Sequence, residues 1–269
     1  MSTRSETTPL AGSPEMDMPL ELAREGLYRF LSAALRDPRD PGAELARDRD
    51  SLRLATAAAD LLRADACDHQ VRRGFGELPP ILLSLTALVE ENESPFEEQC
   101  SEFDRVFGLV VAAECPPYET EYHSSTEPFF RSQQLADVAG FYRAFGLDTS
   151  SASPERPDFL PLELEFMAFV LLKKRLAFAA GDVENAKRCA EVEHCFFRDH
   201  LAWWTPSFAT GLRRRAESGR YVILAQALAA FMPVERQRLE VDTPSIPVMP
   251  KVIERPEEQA GCSVCPSIR

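Results

Sequence analysis

Apolar residues recur along the chain at spacings of three and four, without convincing strand alternation, which predicts helices throughout. The first run, residues 19–35, places Leu20, Ala23, Leu27, Phe30 or Leu31, and Ala34 on one stripe. It stops ahead of Asp37-Pro38, because a residue before proline disfavours helical backbone. An Ala-rich helix is predicted over 43–64 and a third over 80–91, with Ile81, Leu85, Leu88 and Val89 inward. Ser94-Pro95-Phe96-Glu97 reads as a capping box opening a helix to about residue 109. Residues 110–130, broken by Pro116, Pro117 and Pro128, form a long ordered loop. A helix over 132–145 follows, with Leu135, Val138, Tyr142 and Phe145 inward and Gly146 at its end. After a second loop at 148–157, residues 161–180 are apolar on nearly every side, which suits the middle of a bundle. Gly181 closes that helix and Asp182 caps the next, which reaches about residue 200. Thr205-Pro206 opens another, and the last, 221–231, is stopped by Pro233.

The pattern predicts an all-α fold: one bundle-like domain of about nine helices over 19–233. A disordered leader, 1–18, precedes it, and a Pro-rich tail, 234–269, follows.

Composition narrows the function. Twelve glycines leave no phosphate loop, dinucleotide fingerprint or nucleophile elbow, so no catalytic residue and no cofactor is assigned and the chain is expected not to be an enzyme. A net charge of −13 speaks against nucleic acid, which takes clustered Lys and Arg. Arg213-Arg214-Arg215 is too short a stretch for a recognition helix. The acid is concentrated: residues 90–127 hold eleven carboxylates and one base, Arg105. This is either a solvated face or a field that attracts a cationic peptide. Without an apolar run of about 18 residues or an apolar signal region, no membrane insertion is expected and the location is read as cytoplasmic. Seven scattered cysteines fit a reducing compartment better than a disulfide framework.

Two features hint at metal. Glu191-x-x-His194 has di-iron ligand spacing, but His69, His123 and His200 carry Ala66, Thr120 and Phe197 three residues earlier, so no second pair exists. Cys262-x-x-Cys265 offers two ligands where zinc or an iron–sulfur cluster usually takes four. It reads as incidental thiols in a flexible tail, or as a redox or metal-binding pair, the competing account of what the chain does.

Three segments stand out further: Cys115-Pro-Pro-Tyr118-Glu119-Thr-Glu-Tyr122, Pro157-Asp158-Phe-Leu-Pro-Leu-Glu163-Leu-Glu-Phe-Met167, and Phe197-Arg-Asp-His200-Leu-Ala-Trp203-Trp-Thr-Pro-Ser-Phe208. The two tyrosines, four apart, share a face once a helical turn starts. Asp158 precedes a buried helix, where it caps amides or binds a guanidinium. In this order the segments resemble the TorD/DmsD/NarJ family of redox-enzyme maturation chaperones, over about residues 20–232. The resemblance implies a TorD-like fold and a system-specific chaperone. Such a protein binds the twin-arginine leader and apo form of a molybdopterin oxidoreductase catalytic subunit and assists cofactor insertion, as monomer or dimer. Tyr118, Glu119, Tyr122, Asp158, Glu163, His200 and Trp203 match the motifs and are the expected client-binding residues. Where the family commonly has His after the Asp, this chain has Phe159.

Overall fold

The helix formed by Leu160–Ala179, apolar on almost all sides, packs against both the first helix and the one that follows it. Around it the computed structural model describes residues 16–67, 70–108, 114–123, 128–148, 155–243 and 248–250. Among these lie ten α-helices: α1 (Met18–Ala34), α2 (Glu44–Arg47), α3 (Arg49–Cys67), α4 (Leu88–Glu91), α5 (Phe96–Phe107), α6 (Pro128–Ala144), α7 (Leu160–Ala179), α8 (Val183–Phe196), α9 (Thr205–Ala216) and α10 (Arg220–Arg238). Among the described residues the sole β feature is an isolated antiparallel bridge between Tyr118 and Phe159. No helix described is long and apolar enough to cross a membrane. The tail pair Cys262 and Cys265, most of the expected leader, and His69 lie outside the described residues.

α1 packs on α3 and α7, α7 on α8, and α9 on α10. Phe166 of α7 anchors an aromatic cluster with Tyr142 of α6, Phe145 just beyond its end, and Phe196 of α8, at centroid distances of 5.0, 5.6 and 4.6 Å. Each such pair adds about 0.5–1.5 kcal/mol beyond the area it buries.

Several boundaries differ from the sequence reading. The helix expected over 43–64 is interrupted at Asp48, whose backbone is extended. Its carboxylate accepts from the Ser51 amide (2.8 Å) and hydroxyl (2.7 Å), so a new helix starts behind it. The helix expected over 80–91 is a short 3-10 turn, Pro80–Leu82, followed by the single turn of α4. Leu83 and Leu85 point inward at the two-residue spacing of extended chain, while Ile81 and Val89 are exposed. Ser94 does not cap α5. Pro95, in extended conformation, is the capping position, and its carbonyl takes the Glu98 and Gln99 amides. Pro233 does not stop the last helix, which continues to Arg238. A proline inside a helix lacks the N–H for the carbonyl four residues back. Here that carbonyl, on Ala229, accepts instead from the Leu78 amide at 2.9 Å. The substitute donor comes from the 70–79 segment, where Gly76, at φ +77°, lies so close to α9 that an added Cβ would sit 2.6 Å from the Pro206 carbonyl oxygen.

The core carries a buried ionic knot absent from the sequence reading. Arg24, 1 % exposed, is held by both Glu235 oxygens (2.7 Å each), by Glu21 (3.0 Å) and by Glu193 (2.5 Å). Lys174 joins Glu21 (2.6 Å) and Glu193. The knot ties α1, α7, α8 and α10 together.

Candidate functional site

Two of the three singled-out segments meet through backbone. The Glu119 amide donates to the Asp158 carbonyl (3.0 Å) and the Leu160 amide to the Pro117 carbonyl (2.9 Å), making the bridge between Tyr118 and Phe159. The Phe159 ring rests tilted on Tyr118, centroids 5.4 Å apart. The third segment joins through a π-helical turn, Phe197–Leu201, closed by the Ala202 amide bonding the Phe197 carbonyl five residues back (2.8 Å). The wider turn re-aims the residues after α8 and directs His200 into the interior. There His200 Nδ1 lies 3.1 Å from Glu119 Oε2, and its Nε2 is 3.5 Å from Asp137 of α6.

Asp158 is fully buried and accepts four hydrogen bonds. The Thr120 amide (3.0 Å) and hydroxyl (2.8 Å) bond Oδ2, and Arg156 grips both oxygens through Nε (2.9 Å) and Nη2 (2.7 Å). Of the two roles read for Asp158, it does not cap α7, whose capping position is Phe159, and it does bind a guanidinium, which belongs to this chain. A turn with Pro157 and Asp158 at its centre, closed by the Phe159 amide on the Arg156 carbonyl (3.1 Å), brings the Arg156 side chain back onto Asp158. Arg156 also reaches Glu121 Oε1 (3.0 Å) and the Thr120 hydroxyl (2.6 Å), and lies 4.3 Å over the Tyr118 ring. Glu121 receives a second guanidinium, from Arg131 at the start of α6. Thr120, Glu121 and Arg156 were not singled out from sequence. The Arg-Pro-Asp order of residues 156–158 is the signal that would have found Arg156.

Tyr118 and Tyr122 do not share a face. The turn between them, Glu119–Glu121, is a 3-10 turn of three residues, so a spacing of four rotates the second ring away. Tyr118 stays half-buried beside Arg156, with its hydroxyl donating to Glu155 (3.2 Å). Tyr122 turns inward against Trp204, centroids 5.1 Å apart. Trp204 is fully buried, while Trp203 is half-buried against His123 at 4.4 Å. His194 bonds the Leu239 carbonyl through Nδ1 (2.8 Å), and no group of three His, Cys, Asp or Glu among the described residues is arranged to hold a metal.

Glu163, in the first turn of α7, is also fully buried. Neither of its oxygens makes a hydrogen bond of normal geometry, although Trp204 and Glu119 lie close. Burial holds its carboxyl well above the usual range, and the Glu119 and Asp158 charges push the same way. Burial also raises Glu119, against the opposing pull of His200. The seven expected site residues thus come together, with five of them buried and Tyr118 and Trp203 half-buried.

A groove of about 840 Å³ adjoins this knot. Its floor is Leu162, Phe166 and Phe169 of α7 with Leu147 and Tyr142, and its rim carries five carboxylates, Asp37, Asp40, Asp148, Glu155 and Glu165, against two guanidiniums, Arg36 and Arg39. Both guanidiniums are paired, Arg36 with Glu165 and Asp40, and Arg39 with Asp37 and with Asp104. Two residues connect groove and knot: Glu155 accepts from Tyr118, and Tyr142 donates to the Pro157 carbonyl (2.9 Å).

Residues 68–210, more than half of the chain, match the sequence model of the nitrate reductase delta subunit family. The selenate reductase assembly chaperone protein of Thauera selenatis is 34 % identical over 115 residues, 42 % of this chain and 56 % of that protein. The perchlorate reductase assembly chaperone protein of Dechloromonas aromatica is 28 % identical over 105 residues, covering 39 % and 46 %. The chlorate reductase assembly chaperone protein of Ideonella dechloratans is 30 % identical over 105 residues, covering 39 % and 52 %. The chain spans about half the length of the curated relatives it matches.

Proposed function

The chain belongs to the nitrate reductase delta subunit family, and from that premise we propose that it is a dedicated cytoplasmic assembly chaperone for the catalytic subunit of one molybdopterin oxidoreductase. It binds the leader peptide and apo-protein, and keeps the subunit open for cofactor insertion before assembly or export. The observation that carries this reading is the acid-rimmed apolar groove adjoining the knot of family motifs. A basic peptide with an apolar helical stretch matches both halves of that surface. Burying about 400 Å² of apolar peptide contributes on the order of 10 kcal/mol gross at about 25 cal/mol/Å². Association and ordering offset much of it. The groove then sets affinity, and the rim carboxylates set register and on-rate. The names of the relatives, assembly chaperones of selenate, perchlorate and chlorate reductases, support a partner of the oxidoreductase class.

The test is an anaerobic pull-down of the tagged chain from its native cytosol, read by mass spectrometry. The expected result is one co-purifying molybdoenzyme catalytic subunit, recovered without its cofactor. Recovery of the bare chain, with client genes induced, overturns the proposal.

A further inference from the structure

Asp158 poses a problem for any client-binding role: it is fully buried beneath Arg156, so no partner side chain reaches it in this arrangement. We propose that Asp158, Glu121, Thr120 and the face of Tyr118 form a receptor for a guanidinium arriving from a partner, and that Arg156 is its resident occupant, displaced on binding. The inference rests on the chaperone reading for the source of that guanidinium, and on geometry alone for the receptor.

The pocket has the features that distinguish a guanidinium site from a simple countercharge. The Asp158 carboxylate takes the fork of Arg156 through two nitrogens, a pairing an ammonium cannot reproduce. An aromatic face lies 4.3 Å from the guanidinium carbon. A second carboxylate, Glu121, and the Thr120 hydroxyl take two more donors. Glu121 accepts from Arg131 as well, so this carboxylate already holds two guanidiniums. The Arg156 side chain is 30 % exposed whereas Asp158 is 0 % exposed. Arg156 is thus the cover of the receptor. Exchange of one guanidinium for another leaves no buried charge unpaired at the end, so the buried carboxylate does not oppose it. The tethered Arg156 competes at the high effective concentration of an intramolecular ligand. The filled receptor therefore resists isolated arginines and yields to a peptide that also gains the adjoining groove.

The test is chemical rescue. Arg156→Ala is expected to lower the melting temperature, and ethylguanidinium at millimolar concentrations to restore a substantial part of the loss, while ethylammonium restores none and wild type does not respond. No recovery, or an equal response of wild type and variant, overturns the receptor. Should Arg156→Ala not fold, Arg156→Gln keeps a donor toward Asp158 and permits the same comparison. A synthetic peptide with paired arginines ahead of an apolar helical stretch then separates the two proposals. It is expected to bind Arg156→Ala on the order of tenfold more tightly than wild type, because the tethered competitor is gone. Rescue by ethylguanidinium with no peptide binding to either protein upholds the receptor and counts against the chaperone reading. Equal peptide binding to both proteins without rescue counts against the receptor alone.

Discussion

Glu119 and His200 are 81 residues apart in sequence and meet at 3.1 Å in the interior, each almost without exposure. The contact joins the loop that carries Tyr118 to the turn that carries Trp203. Removing either partner strands the other, which costs about 3–5 kcal/mol when a charge is left uncompensated. Glu119→Gln and His200→Ala should each lower urea stability, and the double variant should fall short of their sum by about 1–3 kcal/mol. Additive losses would show that the two residues do not act as a pair.

The raised carboxyl of Glu163 has a consequence for pH. The folded chain retains a proton there that the unfolded chain releases near the usual value of 4.5. The contribution to stability is whole below that value and is lost as pH rises through the folded-state value. From this group, stability should fall by up to about 1.4 kcal/mol per pH unit within the window. Glu163→Gln, which keeps the shape without the titration, should flatten the decline. Urea midpoints measured from pH 5 to 8 decide it, and parallel curves for the two proteins would sink the assignment.

Arg24 binds three carboxylates at the centre of four helices. Arg24→Ala leaves Glu235 and Glu193 buried beside Lys174 alone, and should cost about 3–5 kcal/mol. Arg24→Met fills the volume but not the charge, and should recover only part of the loss in thermal denaturation. Full recovery would assign Arg24 a packing role.

Gly211 of α9 touches the loop that leads to Tyr118. A Cβ there would lie 2.8 Å from the Glu114 carbonyl oxygen and 3.1 Å from Cys115 Cβ. Gly211→Val should push that loop outward. Cys115 reports it: the thiol is fully buried and burial pushes it up to about 12, so wild type should resist alkylation at this position. Peptide mapping after iodoacetamide should find Cys115 modified in the variant. Equal protection in both proteins would show that the loop tolerates the added bulk.

Phe169 lines the groove while half-buried. Phe169→Gln should weaken the paired-arginine peptide at least about tenfold, the loss of some 1.4 kcal/mol or more of apolar contact, with the circular dichroism spectrum unchanged. Unaltered affinity would show that such a peptide does not bind in this groove.

Sequence and structure agree best where local chemistry decides. α7 was legible because apolar residues surround it and Gly181 and Asp182 punctuate its end; the Asp182 carboxylate does accept the Asn185 amide (3.1 Å). The end of α10 was not legible, because the donor that compensates for Pro233 comes from Leu78, far away in sequence. Arg24 left a signal that went unused: a lone cation four residues after Leu20 in an otherwise apolar stripe. At the site, the segments were legible as motifs, and their convergence was implied only by resemblance. What sequence order could not convey is depth. Asp158 and Glu163 read as groups that meet a partner, and the fold places both beneath the surface.

The first helix waits for the last. Glu235, which holds Arg24 with both oxygens, lies 211 residues downstream. While the chain is being synthesised, α1 carries a cation in its apolar stripe that the nearby Glu21 answers only in part. Contacts of such long sequence separation form slowly. The interior around Arg24 would then close only once α10 has been made and can bring Glu235 to it.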